Sequence, residues 1–174
     1  MELPAVWGVH SISKELFDCI RHFVPSGSTL LEFGSGWGTS QLAEHYNMIS
    51  IEDHINFVGI YKSQYIYAPR VDNWYGMDKI KEELKSPYQA VLVDGNSDDS
   101  RLQGLIANSS FFNFNVPWFF DDLNINTINV DFERFMRENL KRSFVKYQCG
   151  PKPFGVVLPI TWQGTLWNPN EVKA

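Results

Sequence analysis

From Thr29 onward, short apolar runs alternate with segments whose apolar residues recur every three or four positions, and this alternation predicts a strand-then-helix chain. "TLLEF" reads as a buried strand and "TSQLAEHY" as the helix after it. "MISIE" is a second strand, followed by a helix through Ile55, Val58 and Tyr61. "QYIYAP" is a third, followed by helical spacing at Met77, Ile80 and Leu84. "YQAVLVDG" is continuously apolar from Ala90 to Val93, as expected of a central parallel strand covered on both faces. Leu102, Leu105 and Ile106 mark a helix, and "VPWFF" a fifth strand. Phe132, Phe135, Met136 and Leu140 mark a further helix, with Asp131 as its expected cap. Ahead of these units, Ile12, Leu16, Cys19, Ile20 and Phe23 fall on one face of an N-terminal helix that Ser11 or Ser13 would cap. "SFVKYQCGPKPFGVVLP" holds two strand-like runs around a Gly/Pro turn with no helix between them, which predicts an antiparallel hairpin on the sheet edge. Together these elements predict an α/β fold with an open, mostly parallel, doubly wound sheet and helices on both faces.

A chain of 174 residues with 44% hydrophobic and 20% charged composition has material for one sizeable core, so residues 1–174 are expected to form a single domain. The net charge of -5 argues against binding nucleic acid by neutralising phosphates and favours a small-molecule or protein partner. No basic flank with an apolar targeting segment is evident, and no apolar run reaches the roughly 18 to 20 residues needed to span a bilayer. A soluble, cytoplasmic protein is therefore expected. Cys19 and Cys149 show neither CxxC nor zinc-ligand spacing and read as packing residues in a reducing compartment.

In such sheets the ligand crevice lies at the carboxyl ends of the strands, near the point where strand order reverses. "EFGSGWG" puts Gly34, Gly36 and Gly38 at the first strand-to-helix turn, where bare backbone lets a ligand come within contact distance. A dinucleotide loop would want GxGxxG, but Thr39 stands where its third glycine belongs, and the phosphate-loop pattern GxxxxGK[ST] is absent.

Glu32, Gly34, Ser35, Gly36, Trp37 and Gly38 in this order, then "IEDH" at the end of the second strand, resemble the first two motifs of class I S-adenosylmethionine (SAM)-dependent methyltransferases. The resemblance runs on through "YIYAPRVDNWYG" and "YQAVLVDG" to "PWFFDDLN". It implies a Rossmann-like, seven-stranded sheet with an antiparallel C-terminal strand, and SAM as cofactor. It also implies a set of cofactor-binding residues. Glu32 would meet the cationic methionine end, directly or through water. Gly34, Ser35, Gly36 and Trp37 form the loop under the methionine portion and ribose. Glu52 would accept from the ribose hydroxyls, with Asp53 or His54 assisting, and Trp74 and Tyr75 stand where the family often lines adenine.

Asp94 ends the best strand and should project into the crevice, either as a cofactor contact or near the acceptor. Asp94 with Asp121 or Asp122 and Asn124 would offer the oxygen ligands magnesium prefers, resembling the metal-dependent catechol-type O-methyltransferases. Those enzymes carry an Asp-Asn pair where this chain has Asp-Asp, and that departure argues against a metal. Candidate bases for a hydroxyl or amine acceptor are Asp94, Asp122 and His10, with His54 beside them. Trp7 and His10 could fold over the crevice as a lid or simply pack, and Arg101 could orient an anionic acceptor but reads more readily as a solvated helix-start residue. The lack of a large insertion favours a small-molecule or glycan acceptor, methylated at oxygen. An NAD(P)-binding Rossmann oxidoreductase and a non-catalytic adenosyl-ligand-binding domain are the competing readings.

Overall fold

The computed structural model describes Trp7 and residues 11–95, 101–150 and 152–170. Helix α1 (Lys14–Phe23) opens with the Ser13 hydroxyl accepting from the Leu16 N–H, a side-chain cap for one of the otherwise unpaired first-turn amides. Strand β1 (Thr29–Phe33) leads through the glycine turn to α2 (Trp37–Leu42) and β2 (Asn47–Glu52). Strand β3 (Gln64–Tyr67) is followed by the small antiparallel pair β4 (Arg70–Val71) and β5 (Trp74–Tyr75). Asp72 and Asn73 turn that pair at φ 51° and 64°, the left-handed backbone that two-residue hairpins demand. Helix α3 (Met77–Glu83), β6 (Ala90–Val93), α4 (Arg101–Ala107), β7 (Trp118–Phe120) and α5 (Asn126–Arg134) come next. The chain ends with β8 (Val145–Tyr147) and β9 (Phe154–Val157).

The main sheet has seven strands in the order β3-β2-β1-β6-β7-β9-β8. Its first five strands are parallel, and β9 pairs antiparallel with both β7 and β8. The predicted α/β architecture, the central position of Ala90–Val93 and the antiparallel end are therefore all present. The hairpin docks through its second strand, which leaves β8 on the edge.

Side chains along β1 alternate between two cores, because successive residues of a strand point to opposite faces. Leu31 and Phe33 pack with Val91, Val93, Trp118 and Phe120 beneath α3, α4 and α5. Leu30 packs with Ala90, Leu92 and Phe119 beneath Leu16, Ile20 and Phe23 of α1 and Leu42 of α2. Each such fully buried side chain contributes about 1.5–3 kcal/mol. Cys19 is wholly buried in the second core and Cys149 packs at its margin, both as free thiols.

Two expected helices differ. The segment through Ile55, Val58 and Tyr61 makes only a 3-10 turn, Ile55–Phe57, because Gly59 takes a left-handed φ of 80°. Ile55 and Ile60 are left exposed. Asp131 does not cap the last helix, since α5 starts earlier, at Asn126, and runs into a wider π-helical segment at Phe135–Leu140. Asp131 sits within α5 beside Gln103 and Arg134. Among the described residues, no helix is long and apolar enough to cross a membrane.

Candidate active site

The chain runs outward through β1, β2 and β3, then returns to place β6 and β7 on the other side of β1. The β1/β6 boundary is thus the switch point where the two halves of a doubly wound sheet diverge and leave a crevice. A cavity of about 710 Å³ opens there. Its walls come from the carboxyl ends of all five parallel strands: Gly34, Ser35 and Gly36 after β1, Glu52, Asp53 and His54 after β2, and Arg70 after β3. Asp94 and Gly95 follow β6, and Asp122 follows β7.

Two glycines meet at the base of the crevice. Gly34 turns at φ 82°, and the Gly95 N–H donates to the Phe33 carbonyl at 2.5 Å. A Cβ on Gly34 would collide with the Gly95 backbone, and one on Gly95 with Gly34 and the Tyr75 hydroxyl. Bare backbone is therefore required on both strand ends. The Tyr75 hydroxyl is buried and has no hydrogen-bond partner among the described residues.

The glycine loop is tied down by two carboxylates. Glu52 Oε2 accepts from the Ser35 N–H at 3.0 Å and the Ser35 hydroxyl at 2.8 Å, while Oε1 accepts from the His54 N–H at 3.0 Å. Burial raises the Glu52 pKa even so. Glu32 lies under the loop instead of on its surface, 2% exposed, and accepts from the hydroxyls of Thr39 and Ser50 at 2.9 Å each. Burial pushes its pKa up to about 8 against those hydrogen bonds, which favours the protonated carboxyl. Thr39, standing in place of a third glycine, accepts from the Gly36 N–H at 2.9 Å while it donates to Glu32, coupling the loop to β1.

The opposite wall is a cluster of charges. Asp94, Asp121 and Asp122 bring carboxylate oxygens within 4.8 Å of one another. Lys152, in the turn between β8 and β9, reaches Asp121 and Asp122 at 2.7 Å each. Arg101 Nη2 lies 2.9 Å from the second oxygen of Asp122. Asp122 holds a left-handed φ of 62°, at a strand end where a short polar side chain tolerates it. Burial works to raise the Asp122 pKa, but Lys152 and Arg101 outweigh it and bring the pKa below the usual carboxylate value. Burial and the Asp94 charge hold Asp121 well above that value. Burial works to depress the Lys152 ammonium, and Asp121, Asp94 and Asp122 outweigh it. With Asn124 exposed and an ammonium among the carboxylates, these donors do not fit a magnesium site as they stand.

The structure gathers Gly34, Ser35, Gly36, Glu52, Asp53, His54, Tyr75, Asp94 and Asp122 around one cavity. Asp53 is paired with Arg70, and His54 caps the 3-10 turn through Nδ1. Three expected cofactor contacts are not on its walls. Glu32 is beneath the loop, and Trp37 turns away to pack edge-on against Trp7 at 4.7 Å. Trp74 is buried against Phe33 and Gly104, a place dictated by its size and the small residue opposite. Trp7 also packs on Phe17, and His10 lies outside the described residues. Arg101, expected in solvent, is 2% exposed because α4 begins over the strand ends and Asp122 neutralises it. Sequence reasoning missed Lys152 and Arg70. A lysine between two prolines carries no motif, and only the strand-end "DD" it neutralises could have signalled it.

No protein-family model matches the chain, and no curated protein sequence does. Among solved structures, an O-methyltransferase from Bacillus cereus in complex with SAH superposes with a TM-score of 0.64 at 14% identity, covering 86% of this chain and 83% of that one. An O-methyltransferase from Streptomyces achromogenes involved in tomaymycin synthesis, in complex with SAM, gives 0.57 at 15% identity, over 83% and 77%. An rRNA methylase from Streptococcus thermophilus gives 0.56 at 11%, over 83% and 93%. The chain has the Rossmann-like fold of these methyltransferases.

Proposed function

We propose that this chain is a SAM-dependent methyltransferase, a single cytoplasmic domain that methylates a small-molecule or glycan acceptor at oxygen. The observation that carries this reading is the pairing of a bare Gly34–Gly36 turn with the fixed carboxylate of Glu52 on one cavity at the β1/β6 switch point. An acid after the second strand suits two ribose hydroxyls. The likeness of fold to methyltransferases bound to SAH and SAM supports the same cofactor. Free Cys19 and Cys149 suit a reducing compartment.

In this reading Gly34, Ser35 and Gly36 pass beneath the methionine portion and ribose, and Glu52 with Asp53 takes the ribose hydroxyls. Glu32 acts through Thr39, holding the loop in shape. When bound, the cofactor supplies an activated sulfonium methyl group, whose carbon bonds to the acceptor oxygen as the carbon–sulfur bond breaks and its electron pair stays on sulfur. The protein aligns the acceptor, excludes water and takes the acceptor proton. Asp94 is the base in this scheme. Asp122, held ionised between Lys152 and Arg101, is a weak proton acceptor and orients the wall instead. The net charge of -5 favours an uncharged or cationic acceptor over a polyphosphate backbone.

The test is transfer of labelled methyl from SAM to a panel of hydroxylated small molecules and oligosaccharides, beside structured RNA. Label on a hydroxyl acceptor, lost in Asp94→Asn with cofactor affinity retained, is the expected result. Label on RNA alone would overturn the acceptor assignment.

A further inference from the structure

The acidic wall raises a question that the strand-end carboxylates alone do not answer. Three carboxylates within 4.8 Å of one another form a set of hard oxygen donors, of the kind a divalent cation takes. Two of the three already share a cation. Lys152 Nζ is 2.7 Å from Asp121 Oδ2 and 2.7 Å from Asp122 Oδ1, with its side chain only 10% exposed. Arg101 closes the far side, 2.9 Å from Asp122 Oδ2. A divalent ion bound by the same oxygens would have to displace the ammonium or sit against it, and like charges at such range repel. The Lys152 side chain is not there by default. It comes from the turn of the β8–β9 hairpin, 30 residues along the chain from Asp122, and it reaches inward to cap the ends of β6 and β7.

We infer that Lys152 is a built-in cation that fills the position a divalent ion would take among these three carboxylates, so that the acceptor wall of this crevice is complete without a metal. Lys152 supplies the positive charge that lets Asp121 and Asp122 coexist beside Asp94. It also locks the C-terminal hairpin to the site. The cation is monovalent and fixed by the backbone, so chelators have nothing to remove. Deleting the amine should leave an open three-carboxylate site.

The inference shares the crevice of the proposed methyl transfer and depends on that reaction only for its catalytic meaning. The test is a Mn²⁺ titration of the purified full chain, without adenosyl ligand, with free Mn²⁺ followed by electron paramagnetic resonance. Wild type and Lys152→Arg are expected to show no stoichiometric site. Lys152→Ala is expected to bind one Mn²⁺ per chain at least about tenfold more tightly than wild type, and to lose it when Asp121→Asn is added. A wild-type site that disappears in Asp121→Asn would overturn the inference. So would a folded Lys152→Ala chain with no gain in affinity. If Lys152→Ala does not fold, comparison of wild type with Asp121→Asn decides the matter: equal, non-saturating Mn²⁺ curves support the built-in cation, and an Asp121-dependent site refutes it. Failure of adenosyl-ligand binding would leave either Mn²⁺ result standing, so the two readings fail separately.

Discussion

Ser35 gives both its backbone N–H and its hydroxyl to a single oxygen of Glu52, at 3.0 and 2.8 Å, and so ties the glycine loop after β1 to the end of β2. The His54 N–H holds the other oxygen. The carboxylate therefore faces the crevice in one orientation before any ligand arrives, and three donors offset part of its desolvation. Glu52→Ala should weaken S-adenosylhomocysteine binding at least about tenfold, since hydrogen bonds to a charged group contribute about 1.5–3 kcal/mol. Ser35→Ala, which keeps the backbone donor, should cost less than Glu52→Ala. Calorimetric titration checks the order, and equal affinities for all three proteins would remove the ribose assignment.

Gly95 has an ordinary backbone conformation, so the reason for glycine there is its contact with Gly34 and Tyr75. Neither neighbour can retreat, because Gly34 is backbone and Tyr75 is 2% exposed. Gly95→Ala should destabilise the fold by about 1–3 kcal/mol or more through overpacking. Urea unfolding measures this, and a wild-type midpoint would show that the strand ends are not in contact.

Glu32 predicts an unusual dependence on pH. Its pKa is about 8 in the folded protein and near the ordinary 4.5 in the unfolded chain, so the folded state holds the extra proton between those values. The stability contributed by the protonated form is fully present below about pH 4.5 and is lost as pH rises towards 8. Glu32→Gln mimics the protonated group, and the Thr39 and Ser50 hydroxyls can rotate to serve it. It should flatten the decline and stabilise the protein at pH 7 by on the order of 1–3 kcal/mol. Thermal melts of both proteins at pH 5 and pH 8 check this. A larger loss of stability for the variant at pH 8 than at pH 5 would contradict it.

Arg101 is buried and pairs with one oxygen of Asp122, whose other oxygen keeps Lys152 when the guanidinium is removed. Arg101→Met should cost about 1.5–3 kcal/mol, and adding Asp122→Asn should cost less than the sum of the two single changes. Denaturant unfolding of the two single variants and the double variant gives the coupling. Strict additivity would show that the pair contributes nothing as a pair.

The strand-and-helix order was legible because apolar period changes along the chain, and Ala90–Val93 announced a strand with both faces covered. The same logic failed at Ile55, Val58 and Tyr61, whose spacing looks helical although none of them is buried in a core. Gly59 decides the backbone there, and periodicity cannot see it. In the site, the glycine loop and Glu52 stood out because strand-end glycines and acids have local signatures. Trp74 misled because residues just after a strand can turn towards the crevice or under it, and the small Gly104 on α4 draws the indole inward. Lys152 and Arg101 were illegible as site residues because their partners lie far away in sequence, and only the folded sheet brings them to Asp122.

On the proposed function, the β1/β6 crevice binds an adenosyl-methionine-type ligand and not a dinucleotide. A calorimetric titration of the purified chain with S-adenosylhomocysteine, run beside NAD and with and without magnesium, tests it directly. Saturable binding of S-adenosylhomocysteine at one site per chain, unchanged by magnesium, is expected, with no heat from NAD. Binding of NAD with none of S-adenosylhomocysteine would contradict it.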